Sequence, residues 1–177
     1  MPTPIGHALA GIAIAGASGG SKRPPASHIG VLAICAAAPD LDLVLRLVDG
    51  QNHHRGASHS FAAAALVALA TVFLRRAGVG LPSAALMGAA WGSHVVLDYF
   101  GLDTSPPVGE MALWPFSAAF YASPVSVFYD IPRSFSAAAI RHNLVAVAIE
   151  VVILAPVAWL CWGGFKSGSG SRPAGRD

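Results

Sequence analysis

The chain has 177 residues, 54% of them hydrophobic and only 11% charged, with a mean hydropathy of +0.58. That polar content is too low to cover a soluble globule, so the composition predicts an integral membrane protein. The formal net charge is only +2, and the basic residues fall in short clusters between apolar runs, which argues against nucleic acid as a partner.

Five apolar segments follow in chain order. Ile5 to Ala17 is short, rich in Ala and Gly, and carries His7. Its Gly6, Gly11 and Gly16 predict close packing against neighbouring helices. Basic residues follow this run (Lys22-Arg23) and none precedes it, the reverse of a secretory signal, so the segment and His7 are expected to be retained. Pro24-Pro25 and Ser27 open the second segment, Ile29 to Ala38, which stops at Pro39. Both are shorter than a bilayer crossing and fit a tilted span, a re-entrant segment or a buried helix. Ala57 to Leu74, with Ser58 as a cap, Ala84 to Phe100, opened by Pro82-Ser83, and Leu144 to Trp162 each approach the roughly 20 apolar residues that cross a bilayer core. Pro156 lies inside the last and is a point for a kink. Cys35 and Cys161 form no CxxC pair and are expected to be buried, unreactive thiols.

The expected fold is therefore all-α: a polytopic helical bundle of about four to five apolar segments, one membrane-embedded domain over residues 1–165, and a disordered basic tail over 166–177. Between Gly101 and Arg141 runs a long connection with Trp114-Pro115-Phe116, Phe120-Tyr121 and Phe128-Tyr129, suited to an aromatic belt at the headgroup level or to a lid over a site. Lys22-Arg23, Arg75-Arg76 and Lys166, Arg172 and Arg176 all fall on one side of a five-span chain, which the positive-inside rule makes cytoplasmic. Arg46, Arg55, Arg133 and Arg141 are spread more thinly over the other side.

That topology gives every polar candidate a depth. His94 and Asp98 stand i, i+4 on one helix face inside an apolar run, where ionisable groups are costly without a partner. His7 opens segment one, Asp40 and Asp42 of Pro39-Asp40-Leu41-Asp42 close segment two, and His59 opens segment three, all at the outer end. His28 falls at the opposite end, and His142 has no acidic neighbour in sequence. Six residues are thus the expected metal ligands: His7, Asp40, Asp42, His59, His94 and Asp98. Simpler roles stand beside this one. His94 with Asp98 fits an interhelical hydrogen-bonded pair, Asp40 a cap for Leu41 to Val48, and His53 and His54 solvated loop positions. Glu110 and Asp130 are possible general bases in the long connection.

Mixed imidazole and carboxylate donors suit a divalent metal, zinc first and manganese or iron otherwise. Two such ions about 3.5 to 4 Å apart activate a water and stabilise both oxygens exchanged at a phosphoester, with no serine or cysteine nucleophile. Asp40 and Arg55 are the expected catalytic residues, Arg55 as a bidentate phosphate contact or else a headgroup anchor.

Pro39-Asp40-Leu41-Asp42, His54-Arg55-Gly56-Ala57-Ser58-His59-Ser60, His94-Val95-Val96-Leu97-Asp98 and Trp114-Pro115-Phe116, in that order, resemble the bacterial membrane-bound metal-dependent hydrolases of the YdjM type. The resemblance spans roughly His7 to Phe116. That family is distantly similar to the all-helical zinc-dependent phospholipases C, which implies a helical metal site and phosphoester hydrolysis; the expected location is the bacterial inner (plasma) membrane, with the site on the outer face by the charge bias above. Membrane lipids, and a lipid-like phosphoester as substrate, are the expected partners. The alternative is a membrane transport or scaffold protein whose His/Asp set moves an ion or proton. A pathway of that kind needs polar groups at both ends of the spans, whereas the candidates gather at one.

Overall fold

The computed structural model describes residues 1–19 and 23–163. Lys22 and the expected basic tail at 166–177 lie outside the described residues. The fold is all-helical: α1 (Pro4–Ser18), α2 (Ala26–Ala37), α3 (Asp42–Asp49), α4 (Phe61–Arg76), α5 (Ala84–Tyr99) and α6 (Ala137–Gly163), with 3-10 turns at Ala38–Leu41 and Ala57–His59.

Among the described residues two helices are long and apolar enough to cross a membrane, Ala26–Leu45 and Ala137–Gly163. This departs from the expected spans. The second segment does not stop at Pro39, because a 3-10 turn carries the chain from α2 into α3. Conversely, α4 and α5 have 16 residues each, roughly 24 Å of helix against a hydrocarbon core of about 30 Å. The third segment is shorter than expected because Ser60, and not Ser58, caps it: the Ser60 side chain accepts from Ala63 N, while Ser58 turns to Asp42. Ser83 caps α5 in the same way, accepting from Leu86 N.

Small residues set the packing. α1 lies against α2, α5 and α6, and α4 pairs with α5. A Cβ at Gly11 would fall 2.4 Å from the carbonyl oxygen of Leu32, so α1 and α2 touch backbone to backbone as the glycines predict. The buried core joins Ala15, Leu32, Cys35, Ala36 and Ala90, with Val67, Trp91 and Trp162 packed on it. Cys35 is buried as expected, but Cys161 is only partly so. Outward faces are apolar: Leu66, Leu69 and Phe73 on α4 and Val152, Trp159 and Leu160 on α6 are exposed, a surface that lipid solvates and water does not.

Glu150 in α6 is a residue the sequence analysis passed over. It is 1% exposed and accepts hydrogen bonds from Thr3 N at 2.8 Å and Thr3 Oγ1 at 2.5 Å. A buried carboxylate thereby satisfies an orphan donor at the start of α1 and ties the helix carrying His7 to α6.

The long connection is anchored over one end of the bundle. Met111 N donates to Arg55 O and Phe61 N to Ala112 O, and isolated bridges pair Gly101 with Phe128 and Glu110 with Tyr121. Its apolar side chains, Phe116 and Phe135 above all, point outward and are exposed.

Candidate metal centre

Four pieces of chain meet beneath that connection: the start of α1, the 3-10 turn after α2, the turn before α4, and the last turns of α5. The i, i+4 spacing on α5 brings His94 Nε2 to 3.3 Å from Asp98 Oδ2. His7 Nε2 stands 3.3 Å from Asp98 Oδ1, and the His7 and His94 rings stack with centroids 3.6 Å apart. His59 Nε2 lies 3.5 Å from Asp98 Oδ2 and 3.7 Å from Asp40 Oδ1, and His94 Nε2 is also 3.7 Å from Asp40 Oδ1. His7, His59 and His94 are fully buried.

These separations are not hydrogen bonds. Both ring nitrogens of His7, the Nε2 atoms of His59 and His94, and both oxygens of Asp98 are buried without a hydrogen-bond partner. Leaving that many polar atoms dry and unpaired would cost several kcal/mol (roughly 1–3 each). Two donors each about 2.1 Å from a common tetrahedral ion stand roughly 3.4 Å apart. The orphaned atoms have that spacing, so the donor set fits a divalent cation. Two groups of three converge closely enough to hold an ion: His7, His94 and Asp98, and Asp40, His54 and His59.

The other ring nitrogens are anchored. His94 Nδ1 bonds to the Ala36 carbonyl at 2.8 Å, which fixes the tautomer and leaves Nε2 as the lone-pair donor. Asp42 does the same for two rings, 2.9 Å from His54 Nδ1 and 3.2 Å from His59 Nδ1, and it also accepts from Ser58 Oγ at 2.8 Å and Arg55 N at 3.3 Å. Its oxygens are thus occupied on the side of the rings away from the convergence point. Asp42 anchors the backs of the imidazoles, and His54, not Asp42, stands in the three-residue group with Asp40 and His59. His54 is 8% exposed, not the solvated loop residue expected, whereas the side chain of His53 is 43% exposed and pairs with Asp49.

Asp40, whose side chain is 18% exposed, faces the cluster instead of serving only as a cap. It also lines a cavity of about 880 Å³ that His54, Arg55, Asp103 and Arg133 share. Arg55 is not free for a phosphate: it is 4% exposed, ion-pairs with Asp103, and donates from Nη2 to Ser105 O at 3.0 Å. Its left-handed backbone (φ 68°) is held by the bonds from its N–H to Asp42 and from Met111 N to its carbonyl. His142 has an acidic partner after all, Asp130 at 3.2 Å, brought by the returning loop and outside the cluster. Glu110, one of the two expected general bases in the loop, is 1% exposed, and both its oxygens lack a partner among the described residues. Burial foremost, then the charge of Asp98, push its carboxyl up to about 9. That shift favours the neutral form of the acid. The signal that would have found His54 is its place in His54-Arg55-Gly56-Ala57-Ser58-His59, five residues before the expected ligand His59; nothing local marks Asp103 or Glu150.

Residues 1–169 match the family model described as YdjM inner membrane protein. No curated protein and no solved structure matches the chain.

Proposed function

The chain belongs to the YdjM inner membrane protein family, and from that membership and its His/Asp cluster we propose a membrane-bound, metal-dependent hydrolase acting on a lipid-like phosphoester. Family membership and two helices able to cross a bilayer support an inner-membrane location. The side of that membrane on which the site opens is part of the proposal: the outer face, from the cytoplasmic bias of Arg75-Arg76.

The observation that carries the reading is the set of buried, unpartnered donor atoms on His7, His59, His94 and Asp98, with Asp40 and His54, which group with His59, on the lining of a cavity. His7, His94 and Asp98 form one half of the ligand set, and Asp40, His54 and His59 the other. A bound divalent cation, zinc by donor type, supplies Lewis acidity and lowers the pKa of a coordinated water. The chain supplies the rest. Asp42 and the Ala36 carbonyl hold the imidazoles with Nε2 turned inward. Asp40, the ligand that also reaches the cavity, is the residue to receive a proton at its carboxylate from attacking water. Arg55 braces the overlying connection through Asp103 and Ser105.

The test reconstitutes purified protein in liposomes and measures release of phosphorylated headgroups, isoprenoid phosphate turnover and hydrolysis of a generic phosphodiester. Activity should vanish with chelator, return with zinc or manganese, and be absent in His94→Ala. Metal-loaded protein that hydrolyses none of these, yet conducts ions or protons dependent on Asp98, would replace hydrolysis with transport.

A further inference from the structure

Two guanidinium groups face the cavity beside the metal centre, and they differ in one respect. Arg55 is buried, pairs with Asp103 and donates to Ser105 O, with its Nε left without a partner among the described residues. Arg133, also on the lining, is exposed, and among the described residues no hydrogen bond or ion pair holds it. The other acids on the lining are also engaged. Asp130 pairs with His142 and accepts from Thr104, and Asp40 faces His59 and His94. Burial, and next the charge of Arg133, lower the pKa of Arg55, so the two cations share one electrostatic space. An unpaired guanidinium on the lining that Asp40 and His54 share offers an anion a partner, and the planar fork of arginine suits a phosphate.

The remaining walls are apolar. Ile34 and Leu41 line the cavity and are 71% and 65% exposed, so its apolar side runs out onto the outer surface of the membrane-capable helix Ala26–Leu45. A volume of about 880 Å³ lies within the roughly 300–1,000 Å³ of ordinary ligand sites. It takes a headgroup and the first part of a chain whose remainder lies along α2 in lipid.

We infer that this cavity seats one phosphate-bearing amphiphile drawn from the bilayer, with its phosphate held by Arg133 and its chain leaving past Ile34 and Leu41. The inference rests on the hydrolase reading and deepens it. It assigns phosphate recognition to Arg133, the residue the long connection delivers, in place of Arg55.

The test is equilibrium binding, so it does not depend on turnover. Zinc-loaded protein in phosphatidylcholine nanodiscs is titrated with dodecylphosphonate, which cannot be hydrolysed, and separately with methylphosphonate and dodecanol. Dodecylphosphonate should bind saturably and at least 10-fold more tightly than either control. Arg133→Gln should weaken it 10-fold or more, and Arg133→Lys should weaken it less. Ile34→Asp should weaken dodecylphosphonate while leaving methylphosphonate unchanged. Metal content, measured on each variant, should stay at the wild-type level because neither residue touches the cluster. Unchanged binding in Arg133→Gln overturns the assignment. Methylphosphonate binding as tight as that of the long-chain compound overturns the lipid source in favour of free phosphate. If dodecylphosphonate binds as described but no phosphoester is hydrolysed, the hydrolase reading falls and the site stands; if hydrolysis proceeds with Arg133→Gln at wild-type KM, the reverse holds.

Discussion

Asp42 and His54, twelve residues apart, meet at 2.9 Å between a carboxylate oxygen and Nδ1, and that contact turns His54 Nε2 toward the group it forms with Asp40 and His59. The sequence offers Asp42 as a ligand and His54 as a loop residue; in the structure His54 is buried and groups with Asp40 and His59, while Asp42 accepts from Ser58 and Arg55 and pairs with His54. An orienting carboxylate and a ligand fail differently when substituted. Asp42→Asn should lower metal affinity about 10–100-fold, the usual cost of losing such a partner. Asp98→Ala, which removes a carboxylate facing three histidines, should leave purified protein without most of its metal. His142→Ala, paired outside the cluster, should retain it. Elemental analysis and chelator competition on the three variants check the order. Asp42→Asn that lost metal as completely as Asp98→Ala would make Asp42 a ligand.

Glu110 imposes a pH dependence whose sign is fixed. Its carboxyl is raised from 4.5 to about 9 in the folded chain, so between those values the unfolded state releases a proton that the native state keeps. Stability from this group is complete below about pH 4.5 and is lost as pH rises toward 9. Glu110→Gln should therefore raise the thermal midpoint at pH 8–9 relative to wild type, with the difference shrinking toward pH 5. Parallel pH profiles for the two proteins would show that Glu110 ionises normally.

Backbone contact between α1 and α2 predicts a local contrast. At Gly11 an added Cβ meets Leu32 O at 2.4 Å and Ala33 Cα at 2.7 Å, whereas at Gly30 nothing lies within 4 Å. Gly11→Ala should destabilise by about 1–3 kcal/mol through overpacking. Gly30→Ala, in an open helix interior, should be neutral or stabilising by up to about 1 kcal/mol. Thermal unfolding in detergent separates them.

The outer-face placement of the site follows from charge and is checked by labelling. With Cys35 and Cys161 replaced by alanine, a cysteine at Gln51 or Val108 should react with an impermeant thiol reagent on intact cells. One at Val79, beside Arg75-Arg76, should stay shielded until the cells are opened. All three positions are exposed in the fold, so reactivity reports the side of the membrane. The reverse pattern would turn the site to the cytoplasm with its membership intact.

What the sequence determined by itself is what helical periodicity and composition decide locally. An apolar, charge-poor chain could only become a helical membrane-type fold, and His94 and Asp98, four residues apart on one helix, had to share a face. His7, Asp40 and His59 were legible because each stands at the edge of an apolar segment, where an ionisable group needs a reason. Tertiary structure decided the rest. Asp40 and Asp42 straddle the passage from a 3-10 turn into α3, and at three residues per turn positions i and i+2 point about 120° apart. One carboxylate therefore faces the cluster while the other faces the backs of its imidazoles. Arg55 turns to Asp103 and Glu150 to Thr3 across separations of 48 and 147 residues. No local pattern encodes those pairings, because each exists only after burial removes water as the competing partner.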